Sequence, residues 1–385
     1  GKRVYVRRIN ITGNDRTRDV VLRREVRQME TGWYSGSEIK QSRERLQRLG
    51  YFDSVNVETP AVAGSADQVD LNINVEEQSS GSFLAGAGYS QSQGIVFNTS
   101  ITEKNFFGTG KSVTLALNTS SSNTLYQLAY VNPYHTVDGV SRGFSLKWKE
   151  TDYDELDTVD YTTDEASAGV IYGIPTNEFD RIRLTGDIRN TAFQTGSSAP
   201  GYIRQYDDTE YLDFLLGLSW SHDSRNSSVY PTSGGRQSVA ASFTVPGSDL
   251  SYFQLTYSNR HYFPLTRDFT FALEADLGYG EAYGDEDVYP FFEHFFAGGP
   301  RSVRGFEANS LGPKTSLADG DDPTGGNIKI VGGAELIFPP PIDSFRDTAR
   351  IGAFFDVGNV FLTDDAVYSN NGVSPTRIDF NDLKY

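Results

Sequence analysis

The side chains that could do chemistry are few and scattered. The histidines are His135, His222, His261 and His294, and none has a second metal-ligating neighbour at helical spacing. Cysteine is absent, so thiolate nucleophiles, disulfides and cysteine metal sites are excluded. Ser233-Gly234-Gly235 lies in a Pro/Gly turn, without the strand-to-helix setting that a nucleophile elbow needs. Gly86-Ala87-Gly88 falls in an alternating strand and lacks the following helix of a dinucleotide-phosphate loop. Two acidic runs offer oxygen ligands for a divalent cation: Asp152, Asp154, Glu155, Asp157 and Asp160, and then Asp319, Asp321 and Asp322. Neither has the central Gly and later Glu of a calcium loop, so both read as solvated loops. The chain is therefore read as a non-enzyme, with no metal site and no cofactor.

One residue stands apart. Arg304, within Val303-Arg304-Gly305-Phe306, sits in a segment of over roughly forty residues between strands ending near Gly280 and beginning near Asn327. Such a segment is too long for a simple hairpin and is expected to fold back on the body of the protein. Gly305 permits a tight bend, and a guanidinium can lock a loop by bidentate pairing with a carboxylate. Parity offers two carboxylates. From Asn327 to Phe338, Glu335 shares a face with Lys329, opposite Ile328, Ile330 and Leu336. From Ala349 to Phe361, Asp356 shares a face with Arg350, opposite Ile351, Phe355 and Val357.

The elements that would position these residues have two periods. Residues 3–77 read as β-α-α-β-β. Val4 to Ile11 alternates and stops at Gly13-Asn14, and Val20, Val21, Leu22 and Val26 suit a helix capped by Asp15 or Thr17. Ser37 to Gly50 is a second helix with Ile39, Leu46 and Leu49 on one face, and Asp53 to Thr59 and Val69 to Glu76 are strands. From Gly81 onward the period is two. In Tyr211 to Trp220, Leu212, Phe214, Leu216, Leu218 and Trp220 oppose Asp213, Gly217 and Ser219. Phe269 to Tyr279 repeats the pattern, and in Arg181 to Arg189 four charged residues oppose Ile182, Leu184 and Ile188. Roughly thirteen segments of about ten residues follow, the length a tilted strand needs to cross a bilayer. Charged rows facing aliphatic rows fit a membrane barrel with a wet lumen. A soluble sandwich would use shorter strands around a smaller core.

Totals agree. No apolar run is long enough for a membrane helix, whereas the 25 Phe, 22 Tyr and 38 Gly suit aromatic girdles and tight turns. Residues 1–80 hold 13 Lys+Arg against 12 Asp+Glu, so the remaining 21 against 39 carry the whole net charge of −17 and one unit more. Such an acidic body excludes nucleic acid as a partner, because counterion release needs clustered cations. The chain opens at Gly1 without a signal peptide and is expected to be a processed or engineered piece.

Several stretches resemble one family, the BamA outer-membrane β-barrel assembly factors. They are Asn132-Pro133-Tyr134-His135-Thr136-Val137-Asp138-Gly139-Val140-Ser141, Asn105-Phe106-Phe107-Gly108-Thr109-Gly110, and Phe296 to Phe306 with its Val-Arg-Gly-Phe ending. Val20-Val21-Leu22-Arg23-Arg24-Glu25 and Leu49-Gly50-Tyr51-Phe52-Asp53 resemble that family's last POTRA domain. The resemblance implies a periplasmic POTRA domain at 1–78 and an outer-membrane barrel at 79–385. The family's barrel has sixteen strands, and Tyr385 falls where a fourteenth begins, so the last strands are expected to be missing. It also implies that Arg304 pairs in the lumen with Glu335 and Asp356.

The expected function is assembly and insertion of β-barrel proteins into the outer membrane, by strand templating at a lateral seam. Its partners would be unfolded outer-membrane proteins, accessory lipoproteins and outer-membrane lipid. The seam strand is placed at Gly81 to Ser90, where Gly81, Gly86 and Gly88 weaken pairing and Phe83, Ala85, Ala87 and Tyr89 give thin apolar cover. The alternative is a two-partner secretion transporter or a solute channel of similar architecture.

Overall fold

A computed structural model describes residues 3–90, 93–156, 158–197, 199–284, 288–315, 322–341, 349–363 and 382–385, apart from the side chain of Tyr202. It divides into two compact units.

The first unit comprises residues 1–85, 99–116 and 128–143. Its three-stranded sheet consists of β1 (Tyr5–Thr12), β2 (Phe52–Glu58) and β3 (Gln68–Glu77) in the order β1-β3-β2, with β1 parallel and β2 antiparallel to β3. Two helices, α1 (Asp19–Arg23) and α2 (Gly36–Arg48), join β1 to β2. Val6, Val21, Leu22, Leu46, Leu71, Ile73 and Val75 form its fully buried core.

Two local expectations are corrected here. The first helix is only five residues long, and Arg18 precedes it with no side-chain cap. Thr17 instead donates its amide to Glu77, and its hydroxyl accepts from Asn105. The chain leaves α1 early because β1 needs a backbone partner: Thr31 donates to Val6, and Val6 to Gly32. So short a helix turns Val21 and Leu22 inward and leaves Val20 63 % exposed, while Val26 packs from the following loop. The second helix starts at Gly36, with the Ser35 hydroxyl accepting from the Glu38 amide. It stops as read, at Gly50, whose φ of +70° requires a residue without Cβ strain.

The remaining strands form one antiparallel sheet of 13 in strictly consecutive order. They are β4 (Gly81–Ser90), β5 (Gly94–Glu103), β6 (Ser112–Thr119), β7 (Asn123–Asn132), β8 (Ser141–Asp152), β9 (Tyr161–Pro175), β10 (Asp180–Thr195), β11 (Glu210–Asp223), β12 (Gly234–Thr244), β13 (Tyr252–Pro264), β14 (Thr270–Ala282), β15 (Ile328–Phe338) and β16 (Ile351–Phe361). In the second unit the usual burial order is inverted. Leu218 is 51 % exposed and Ile188 50 %, whereas Asp213 is fully buried. Leaving a Leu or Ile in water forgoes about 1.5–3 kcal/mol, and these rows contain many. Hydrocarbon on that face and a polar lumen on the other remove the conflict.

β9 and β10 run to 15 and 16 residues, beyond the ten or so that a bilayer requires. Their ends carry a separate apolar cluster of Val159, Tyr161, Phe193, Ala199, Ile203, Phe291 and Leu362. No described helix is long and apolar enough to cross a membrane.

Candidate functional site: an arginine seated on the inner wall

The segment between β14 and β15 returns to the wall. Val303 is fully buried with Ala297, Leu311, Val331 and Val360, and Phe306 packs against this cluster. Gly305 has φ +96° with open space around it, so it is required for conformation rather than room. Together these residues present Arg304 to β16. Its Nε donates to Asp356 Oδ2 at 2.6 Å and its Nη2 to Oδ1 at 2.8 Å, and its backbone amide also donates to Oδ2 at 3.1 Å. The Asp356 side chain is 4 % exposed. Glu335 is more distant: Arg304 Nη1 lies 3.6 Å from Oε1. Charge-assisted bidentate bonds of this kind fix orientation as well as position.

The strand register explains the seat. Glu274 faces Gly333, which faces Asp356. A Cβ at Gly333 would stand 2.9 Å from Asp356 Oδ1. Diagonally across from the other carboxylate, Gly352 leaves the space that Glu335 occupies. Two glycines in adjacent strands thus open the row that the loop arginine enters.

Sequence reading missed three participants. Phe354 lies under Arg304, with Cζ 3.6 Å from the ring centroid; its parity with Asp356 was the available signal. Arg260 on β13 donates from Nη2 to Glu335 Oε2 at 2.7 Å. Arg189 on β10 forms a second anchor for the same loop. Its Nη1 lies 2.8 Å from Glu293 Oε1, to which the Tyr252 hydroxyl also donates at 3.1 Å. Nothing local in the sequence marks Glu293 as a partner of Arg189, 104 positions earlier.

The expected seam strand is β4, which ends the sheet. Phe83 is 69 % and Leu84 62 % exposed, so both faces are bare. Gly86 and Gly88 have no atom within 4 Å of where a Cβ would stand, whereas one at Gly81 would meet Glu103 at 3.1 Å. At the opposite edge, Lys384 and Gly358 exchange backbone hydrogen bonds of 3.1 and 2.9 Å, so residues near the C-terminus lie along β16.

The remaining motif stretches meet in the first unit. Asn105 Nδ2 donates to Thr17 Oγ1 at 2.8 Å, and Arg18 donates its amide to the Gly108 carbonyl at 2.9 Å. Arg45 Nη2 donates to Glu25 at 2.6 Å and to the Tyr134 hydroxyl at 3.0 Å, while Arg24 Cζ stands 4.3 Å from the Tyr134 ring centroid. The turns after β5 and β7 are therefore in contact with α2 and with the residues flanking α1. Of the acidic runs, Asp157, Asp319 and Asp321 lie outside the described residues. Among the described residues no group of three or more His, Asp or Glu is placed to hold a metal ion.

Residues 105–379 match the Omp85 superfamily domain, and residues 4–78 match POTRA, the surface antigen variable number repeat. The chain belongs to the Omp85 superfamily. Among its relatives is the outer membrane protein assembly factor BamA of Neisseria meningitidis serogroup B, 37 % identical over 98 % of this chain and 49 % of that protein. This chain thus spans about half the length of that relative. The crystal structure of BamA from Haemophilus ducreyi lacking POTRA domains 1–3 superposes with a TM-score of 0.83 at 31 % identity, over 96 % of this chain and 75 % of that one. CdiB from Acinetobacter baumannii shares the fold alone, with a TM-score of 0.56 at 15 % identity over 93 % of this chain and 64 % of that one. This Omp85 chain combines an antiparallel outer-membrane barrel wall with a POTRA domain.

Proposed function

We propose that this Omp85 protein assembles and inserts other β-barrel proteins into the outer membrane, acting as a template rather than as a catalyst of covalent chemistry. The observation that carries the reading is β4. It is bare on both faces and contains two glycines that no neighbour requires. Each such glycine weakens a strand by roughly 0.5–1 kcal/mol relative to Ala. A nascent strand must satisfy its backbone before hydrocarbon strips away water, and a loosely held edge offers the missing donors and acceptors.

In this reading the POTRA domain, residues 1–78, lies in the periplasm and meets unfolded clients and accessory lipoproteins, and the barrel begins near residue 79. The barrel sits in outer-membrane lipid. Val303, Arg304, Gly305 and Phe306, with Arg304 bonded to Asp356 and lying near Glu335, keep the loop inside while the seam at Gly81, Phe83, Ala85, Gly86, Ala87 and Gly88 opens. The BamA relatives named as assembly factors support this assignment.

The test reconstitutes the full-length protein in liposomes with a cysteine at Ala85 and another on the strand that closes against β4. Oxidation should stop folding of an added outer-membrane client, and reduction should restore it. Unchanged client folding with the seam locked would reject templating. Client-independent conductance without any folding activity would instead mark a pore.

A further inference from the structure

The charged row at the arginine seat extends one strand further than the loop needs. Arg260 on β13 faces Glu274 on β14, which faces Gly333 on β15, which faces Asp356 on β16. Glu335 stands two residues along β15, on the same face. Its two oxygens are divided between two guanidiniums: Arg260 Nη2 bonds Oε2 at 2.7 Å, while Arg304 Nη1 is 3.6 Å from Oε1. Arg260 Nη1 also lies 3.3 Å from Glu274 Oε2. Thus Glu335, which both arginines approach, is bonded to the one on the wall, and the loop arginine is bonded to Asp356.

We propose that Arg260 is a positioning residue for the loop: by holding Glu335 it directs Arg304 onto Asp356 alone and limits how firmly the loop is retained. The charges give the sign. With Arg260 present, two guanidiniums face Glu274, Glu335 and Asp356. Without it, Arg304 is the guanidinium left in contact with these carboxylates, Arg301 and the Lys329-paired Asp276 line the same cavity, and Glu335 has lost its closest donor. Arg304 Nη1 needs to move by less than 1 Å to reach hydrogen-bonding distance of Glu335. A cavity of about 320 Å³ lined by Arg260, Glu274, Arg304, Gly333 and Asp356 gives the Arg304 side chain room to do so. Loss of Arg260 therefore tightens the loop rather than loosening it. A residue that merely supported the wall would have the opposite effect.

The inference rests on reading the loop as clamped by Arg304. Its test observes the loop directly, so it is independent of whether clients are assembled. The Arg304 backbone amide donates to Asp356 and is released only when the clamp opens, so its hydrogen exchange reports opening. Exchange is followed by mass spectrometry on the full-length protein in lipid nanodiscs, with heat-modifiable gel mobility as the check on barrel folding.

Arg260→Gln should raise protection of that amide by about fivefold, the size of a coupling between neighbouring charged groups. Glu335→Gln alone should change it by less than about twofold, since Arg304 makes only a long contact there. The double variant should return to the level of Glu335→Gln, and Arg260→Lys should restore the parental value. Reduced protection in Arg260→Gln, or a double variant equal to Arg260→Gln, overturns the proposal. Should Arg260→Gln not fold, Glu335→Gln decides: a large fall in protection would show that Glu335 holds Arg304 directly, contrary to the proposal.

Discussion

The guanidinium of Arg304 is held by two residues of one strand: it is bonded through its edge to Asp356 and lies 3.6 Å from the ring centroid of Phe354. In β16 these residues are two apart and so face the same side. Phe354 is directly opposite Glu335 in the register, so an aromatic ring separates the two carboxylates that compete for the cation. The ring is 51 % exposed, which places the cation–π contact at the weaker end, about 0.5–1 kcal/mol.

Phe354→Leu should accordingly increase opening of the loop by about two- to fivefold, read as faster exchange of the Arg304 amide. Phe354→Tyr, which retains the ring, should match the parent. Asp356→Asn should have a far larger effect. Breaking a buried ion pair costs about 3–5 kcal/mol, reduced here by the wet lumen. If Phe354→Leu exchanges at the parental rate, the ring contributes packing only.

The first unit provides a pH test. Arg7 bonds Asp70 through Nε and Nη2 at 2.8 and 2.6 Å, and this hydrogen bond holds the Asp70 carboxyl below its usual range. Burial pushes Glu77 upward, but bonds from Thr17 and from the Arg16 and Thr17 amides outweigh it and leave Glu77 lowered too. Carboxylates lowered in the folded state stabilise it above their unfolded values, near 4, and lose that contribution as pH falls through the folded values. A fragment of residues 1–80 should therefore melt cooperatively at neutral pH, with a midpoint that falls as the pH drops below about 4. Glu77→Gln should lower the neutral-pH midpoint and flatten the acid limb. A loss on the order of 1 kcal/mol corresponds to about 4–8 °C for a domain of this size. A disordered circular dichroism spectrum at neutral pH would refute independent folding.

What could be read from the sequence, and what could not, follows from the range of the interactions. Strand parity is local, so the inward direction of Glu335 and Asp356 and the outward rows of β10, β11 and β14 were legible. Gly50 ended α2 as read because a left-handed residue is needed where the chain turns. The length of α1 was not legible, since it is set by β1's demand for a backbone partner at residues 31 and 32. Arg260 and Phe354 lay on faces that parity could assign, yet their significance depends on register across four strands. Gly332-Gly333 within a strand was the overlooked sign of a close approach. The strands that outgrow the bilayer were also missed, because the apolar cluster that supports them draws Phe291 from a loop.

Glu293 and Arg189 give the sharpest contrast between two ends of one ion pair. Arg189 serves two carboxylates: Glu293 Oε1 at 2.8 Å and Asp213 Oδ2 at 3.7 Å, with the Tyr252 hydroxyl also in contact. The Asp213 side chain is 1 % exposed, Arg189 15 % and Glu293 19 %. Removing the arginine leaves two carboxylates facing each other in a site largely closed to water. Removing the Glu293 charge leaves Arg189 still paired with Asp213, with the Glu165 carboxylate also near it. Arg189→Met should thus destabilise the folded barrel strongly, approaching the 3–5 kcal/mol of an orphaned buried charge. Glu293→Gln should cost on the order of 1 kcal/mol, since an amide still accepts from Tyr252 and Arg189. Thermal loss of the compact gel band measures both in the same membrane mimic. The double variant Arg189→Met/Asp213→Asn should recover part of the loss, because it removes one of the two stranded charges. Equal effects of Arg189→Met and Glu293→Gln, with no recovery in the double variant, would show that Asp213 takes no part in holding the loop.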